Sequence, residues 1–158
     1  MSFLKLFSSS APATQDRQTV VIVGGGYAGV LVARSLDQNF NVVLIDRKNY
    51  YLHNIAALRA VAQPDWLKFM AAPYDKTLSH GQFLQGEVEE ITPESVKLFG
   101  HATPVTFDFL VIATGSSYRF PFKISAADIT GMTAAFENVH KLLENVGLSF
   151  FGSWKMLD

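Results

Sequence analysis

Residues 19–46, TVVIVGGGYAGVLVARSLDQNFNVVLID, decide the fold. A β-branched run at 20–23 leads straight into Gly24-Gly25-Gly26-Tyr27-Ala28-Gly29, a GxGxxG turn. A largely apolar helical stretch follows, and a second strand over 41–45 ends on Asp46. Asp46 lies 22 residues after Gly24, close to the ~20 expected of a dinucleotide-binding βαβ unit. Each residue type has a physical role. Gly24 permits the tight turn, Gly26 lets backbone approach a pyrophosphate, and Gly29 lets helix and strand pack closely. The N–H groups and positive dipole end of the helix meet the phosphate charge. Asp46 can accept hydrogen bonds from both hydroxyls of an adenosine ribose.

Around this unit the pattern is read outward. Residues 47–51 (RKNYY) read as a loop, and 54–61 (NIAALRAV) as a short helix with Asn54 as N-cap, ended by Pro64. Residues 65–80 lack a clear period and are expected to wrap the core as a loop with one helical turn. Short apolar runs at 83–84, 88–91, 96–98 and 105–107, separated by Gly86, Thr92-Pro93-Glu94 and Gly100-His101, suggest a small antiparallel meander. The uninterrupted run 107–113 (FDFLVIA) suits a strand covered on both faces, returning to the parallel sheet. Its closing turn, Thr114-Gly115, then lies at the carboxyl end of the sheet, where ligands bind. A helix is expected around 134–143. The fold class is α/β: a Rossmann-type parallel sheet with a small antiparallel meander.

Composition bounds the chemistry. At 158 residues and 49% hydrophobic, the chain can bury a core as a single domain. Thirteen basic and fourteen acidic residues balance to −1, so nothing indicates a nucleic-acid partner and phosphate is expected to be held by backbone. The absence of cysteine removes disulfides, thiolate metal sites and any redox-active dithiol within the chain. The four histidines, His53, His80, His101 and His140, lack metal-ligand spacing, so no metal is expected. Arg47-Lys48 beside Asp46 reads as a solvated loop rather than a 2′-phosphate clamp. No nucleophile or acid–base constellation stands out, so no catalytic side chain is assigned. Residues 1–17 read as a disordered tail whose Phe3, Leu4, Leu6 and Phe7 around Lys5 could touch a membrane surface.

VVIVGGGYAG, HNIAALRA (53–60) and FDFLVIATGSS (107–117) together resemble the FAD-binding half of the pyridine nucleotide-disulfide oxidoreductase superfamily. Within it they are most similar to the branch of apoptosis-inducing-factor homologues, or ferroptosis suppressor proteins, and type II NADH dehydrogenases. The resemblance implies FAD as cofactor, NADH or NADPH as co-substrate of a full-length form, and a quinone-like electron acceptor. It implies that Gly24, Gly25, Gly26, Tyr27 and Ala28 cradle the FAD pyrophosphate, with Gly29 counted in the same cofactor-binding turn, and that Asp46, with Arg47 beside it, lies at the adenosine ribose. Arg59 would contact the flavin nucleotide, Val88 would pack by the adenine, and Ala113, Thr114 and Gly115 would pass close to the cofactor. An intracellular, cytoplasmic setting is expected, with a mitochondrial or lipid-droplet surface as alternatives.

The expected division is a tail at 1–17, an FAD-binding domain at 18–125, and a linker helix with a divergent tail at 126–158. After residue 146 the second glycine fingerprint of the family does not follow, so a truncated, FAD-binding fragment is expected. Two other readings stay open: a non-catalytic remnant acting as an interaction module, and a plain NAD-binding Rossmann domain.

Overall fold

The computed structural model describes residues 17–145. The tail at 1–16 and the divergent segment after residue 145, with the expectations placed on them, lie outside the described residues. A four-stranded parallel sheet runs in the order β5 (Gln82–Gln85), β2 (Asn41–Asp46), β1 (Thr19–Val23), β9 (Phe109–Ile112). Register is continuous: Thr19 to Val23 face Asn41 to Ile45 on one side, and Val20 to Val23 face Phe109 to Ile112 on the other. Between β1 and β2 the chain crosses over through α1 (Tyr27–Leu36).

Alternation along β1 and β2 sends side chains to opposite faces, which is why both strands read as unbroken apolar runs. Val20, Ile22, Val42 and Leu44 pack beneath Ala33 of α1 and Tyr74. Val21, Val23, Val43 and Ile45 pack on the other face against Val96 and Leu98. Those last two belong to an antiparallel sheet of β6 (Val88–Ile91), β7 (Ser95–Leu98) and β8 (Val105–Thr106). The meander is thus the lid on one face of the parallel sheet.

Several elements differ from the sequence expectations. The run at 83–84 is not in the meander: β5 pairs in parallel with β2, Val43 facing Gln82. Four residues with half-exposed apolar positions look the same in either sheet, and only the partner distinguishes them. The 47–51 loop gives way at Tyr50 to β3 (Tyr50–Leu52), which pairs antiparallel with β4 (Ala71–Pro73). The single helix at 54–61 is a 3-10 turn at Asn54–Ala56 followed by α2 (Ala57–Ala62). Asn54 caps nothing, because its backbone is already inside that tight turn. Pro64 opens a new 3-10 turn that runs into α3 (Leu67–Met70). β9 returns to the parallel sheet beside β1, with Leu110 packed on the meander face and Val111 on the α1 face, but its ends are open: Phe109 and Ile112 stay 50% and 63% exposed.

The helix expected near 134–143 is longer, α4 (Ile129–Asn145), and it is no detached linker. Met132 and Phe136 are fully buried against Tyr50, Leu52, Ala57, Ala60 and Met70. Among the described residues no helix is long and apolar enough to cross a membrane.

Tyr74 ties this scaffold to the glycine turn. Its ring lies against Phe83 at 4.7 Å, and its hydroxyl donates to the Gly25 carbonyl at 2.5 Å in a buried setting. Burial, with the negative charge of Asp46, pushes the phenol far above its ordinary pKa. Tyr74→Phe removes that donor and leaves the carbonyl unsatisfied, with an expected loss of about 1–2 kcal/mol read as a lower urea midpoint.

Candidate functional site

The carboxyl ends of β1, β2 and β9 open onto one cleft of 1110 Å³, slightly above the ~300–1,000 Å³ of typical small-molecule sites. The glycine turn forms its floor. Gly24 sits at φ 105°, and a Cβ there would collide with the Ala113 carbonyl and the Thr114 nitrogen. A Cβ on Gly29 would run into the Gly24 carbonyl. One on Gly25 would meet the Tyr74 hydroxyl. These three glycines are required by the protein's own packing.

Gly26 differs: a Cβ there would meet nothing within 4 Å. It is the N-cap of α1 with extended backbone (φ −75°, ψ −165°), no side chain caps the helix, and no acid occupies its first turn. The first helical bond runs from Val30 N–H to the Gly26 carbonyl at 3.0 Å, so the N–H groups ahead of it look for acceptors in front of the turn. The arrangement can take an anion.

Asp46 is fixed at the rim. Its Oδ2 accepts the Gly25 N–H at 2.7 Å and its Oδ1 the Lys48 N–H at 2.8 Å. A carboxylate has about four acceptor positions, so two remain for hydroxyl donors. The opposite wall comes from Ala113, Thr114 and Gly115, the last at φ 68°. Val88 lines the cleft from β6. Arg47 lines it too, its guanidinium reaching Glu87 at 3.7 Å in the open.

Four sequence-expected site residues lie elsewhere. Gly29 is packed under the turn, Ala28 is exposed on α1, and neither lines the cleft. The Tyr27 hydroxyl bonds His53 Nδ1 at 2.8 Å and accepts the Ile55 N–H at 3.3 Å, pinning α1 to the 3-10 turn ahead of α2. Arg59 stacks its guanidinium 3.5 Å over the Trp66 ring, outside the cleft lining.

Sequence reasoning missed other lining residues. Lys48 was read as part of a solvated loop and Lys123 was not singled out, yet both line the cleft. Asn54 lines it as well, and its Oδ1 is buried without a partner among the described residues. Lys123 and Asn54 sit far from the fingerprint in sequence, and only the Arg47-Lys48 pair offered a local signal. Among the described residues no group of histidine and carboxylate side chains could hold a metal.

Comparison with known proteins agrees with this architecture. A family described as pyridine nucleotide-disulphide oxidoreductase matches residues 18–148. Apoptosis-inducing factor homolog B of Dictyostelium discoideum is 46% identical over 110 residues, which is 70% of this chain and 28% of that protein. Ferroptosis suppressor protein 1 of Homo sapiens is 34% identical over 136 residues, 84% of this chain and 35% of that protein. The chain therefore spans about a third of the length of these curated relatives. The fold is shared with the sulfide:quinone oxidoreductase of Aquifex aeolicus at a TM-score of 0.62 and 24% identity, over 82% of this chain and 32% of that one. NDH2 from Plasmodium falciparum, solved in complex with NADH, gives 0.61 at 17% identity, over 86% and 31%. The family match covers nearly the whole described length, and the chain belongs to the pyridine nucleotide-disulphide oxidoreductase family.

Proposed function

We propose that this chain is the FAD-binding part of a flavin oxidoreductase that moves electrons from NAD(P)H to a quinone-like acceptor. The observation that carries the reading is the contrast among the glycines. Gly24, Gly25 and Gly29 are filled against by protein, whereas the space a Cβ of Gly26 would take is empty, in front of an uncapped helix N-terminus. That is where a diphosphate needs room. The residues present fit FAD in other respects. Asp46 keeps acceptor positions for ribose hydroxyls, and the Asn54 amide oxygen is a buried acceptor awaiting a donor.

When bound, FAD supplies hydride acceptance and onward electron transfer. The chain's own part is to bind and orient. The α1 N-terminus takes the phosphate charge, Asp46 takes the ribose, and the Ala113-Thr114-Gly115 backbone closes the opposite wall. With no cysteine in the chain, electrons have no dithiol relay here, which favours direct exit to an acceptor such as a quinone. The sequence carries one glycine fingerprint, so reaction with NAD(P)H is assigned to a longer form of the protein.

The test is the visible absorption spectrum of the purified chain after reconstitution with FAD. Flavin bands that stay with the protein through desalting and are released on denaturation are the expected result. A colourless protein that instead binds NADH would replace this reading with a plain NAD-binding domain. No nucleotide binding at all would leave an interaction module.

A further inference from the structure

Ile55, Leu58 and Arg59 of the HNIAALRA stretch take no part in the cleft. Ile55 is 80% exposed, and Leu58, three residues on and so on the same side, also faces water. The elements on either side extend this apolar surface. On α1, the Tyr27 hydroxyl accepts the Ile55 N–H, and Leu31, one turn further along the same helix face, is 68% exposed. At the end of α3, the Met70 carbonyl accepts the His53 N–H at 2.8 Å, which brings in Phe69 at 71% exposure. A soluble monomer rarely leaves a large apolar patch in water without a use for it.

The charges on this face are mainly of one sign. Residues 53–70 carry Arg59 and Lys68 against Asp65, and the charged residue of α1 is Arg34. None of the three cations forms an ion pair among the described residues, where the pairs are Arg47–Glu87, Lys97–Glu89 and His140–Glu144. Two of them lie over aromatic rings instead: the Arg59 guanidinium 3.5 Å from the centre of the Trp66 ring, and the Lys68 ammonium 5.0 Å from that of Phe69. Trp66 and Phe69 in turn meet edge to face at 5.7 Å. Rings and aliphatic side chains beside unpaired cations suit the boundary between lipid headgroups and acyl chains. The apolar groups enter the layer while the charges stay with the phosphates. The meander gives the contrast. Ile91 and Phe99 are exposed there too, but in a stretch that carries Glu87, Glu89, Glu90 and Glu94, charges that an anionic surface repels.

We propose that the face formed by α1, α2 and α3 docks on an anionic lipid surface. Ile55, Leu58 and Phe69 enter the interface, and Arg34, Arg59 and Lys68 pair with lipid phosphates. The proposal goes beyond the flavin reading and does not depend on it. None of these six residues lines the cleft, so nucleotide binding is expected to be the same on and off the surface.

Co-sedimentation of the full chain with vesicles of phosphatidylcholine and phosphatidylserine, or of phosphatidylcholine alone, tests the docking face. Binding to the anionic vesicles that weakens with added salt is expected. Ile55→Ser, Leu58→Ser and Phe69→Ser should each lower the partition constant about tenfold, and Lys68→Gln about fivefold. Melting temperatures and FAD titrations of these variants should match wild type, because the substituted side chains already face water. Phe99→Ser, on the acidic meander, should leave vesicle binding unchanged. A wild-type chain that stays in the supernatant would overturn the proposal. So would a concentration-dependent dimer, seen by sedimentation velocity and lost in Phe69→Ser, without vesicle binding; the face would then belong to a second copy. Vesicle binding that survives the α2 and α3 substitutions but is lost in Phe3→Ser and Phe7→Ser would overturn it as well and assign the contact to the tail.

Discussion

Gly26→Asp is expected to leave the protein folded and to abolish flavin binding. The position has ordinary extended backbone and open space where the side chain would go. Aspartate is a favoured N-cap, better than glycine by a few tenths of a kcal/mol, and its charge complements the positive end of the α1 dipole. The unfolding midpoint should therefore hold or rise slightly. The same carboxylate would stand where a diphosphate must sit. Two like unit charges 4 Å apart at an effective dielectric of 20 repel by about 4 kcal/mol, which far exceeds the cap's gain. The expected loss is at least about a hundredfold in FAD affinity, since each tenfold is about 1.4 kcal/mol. Paired thermal melts and flavin titrations check it, and full retention of FAD would show that no phosphate occupies the front of the turn. Gly24→Ala is the contrasting control: at φ 105° and against the Ala113 carbonyl, its damage is to the fold itself.

The second large effect lies away from the cleft. Asp37, at the end of α1, is 5% exposed, and among the described residues it is the buried charged side chain. Its carboxylate accepts backbone N–H groups from Ser79 at 2.5 Å, from Gly81 at 2.6 Å and from His80 at 3.1 Å, fastening the loop that leads into β5. Burial raises its pKa, but those hydrogen bonds, with the nearby His80 charge, outweigh burial and hold it below the usual carboxylate value. Asp37→Ala strands several donors at once. At ~1–3 kcal/mol for an unsatisfied buried group, and with the loop free to relax toward water, the expected loss is about 3 kcal/mol.

The pH dependence has a definite sign. A carboxyl whose folded pKa is depressed contributes stability that is fully present above its unfolded value, ~3.9. That contribution fades as pH falls through the folded value. The gap between wild type and Asp37→Ala in urea unfolding should be constant near neutrality and narrow below about pH 4. Equal urea midpoints at pH 7 would refute the role given to Asp37.

The parts legible in the sequence are those whose cause is local. The βαβ unit was readable because strand, glycine turn, helix and acid are contiguous, and each residue type answers a requirement met within a few residues. The motif gave Gly24, Gly26 and Gly29 separate roles, but the atoms that enforce them are not in the motif. Only the packed structure separates Gly26, facing open space, from Gly24, Gly25 and Gly29, each blocked by a neighbour. The placement of β5 was not readable either. A short strand takes its identity from its partner, and parallel pairing of Gln82–Gln85 with β2 depends on the Asp37 anchor and the path of the preceding chain.

Arg59 and Lys48 show the same limit for side chains. Sequence placed an arginine by the nucleotide through resemblance and a lysine in solvent. The fold stacks the arginine on Trp66 and turns the lysine to the cleft. By itself the sequence determined the glycine turn, the acid that faces it and the family, because hydrogen bonding and backbone sterics at that turn are settled by adjacent residues. The tertiary structure alone decided which polar groups share the cleft, since Lys48, Asn54 and Lys123 come from segments that meet only when β1, β2 and β9 lie side by side.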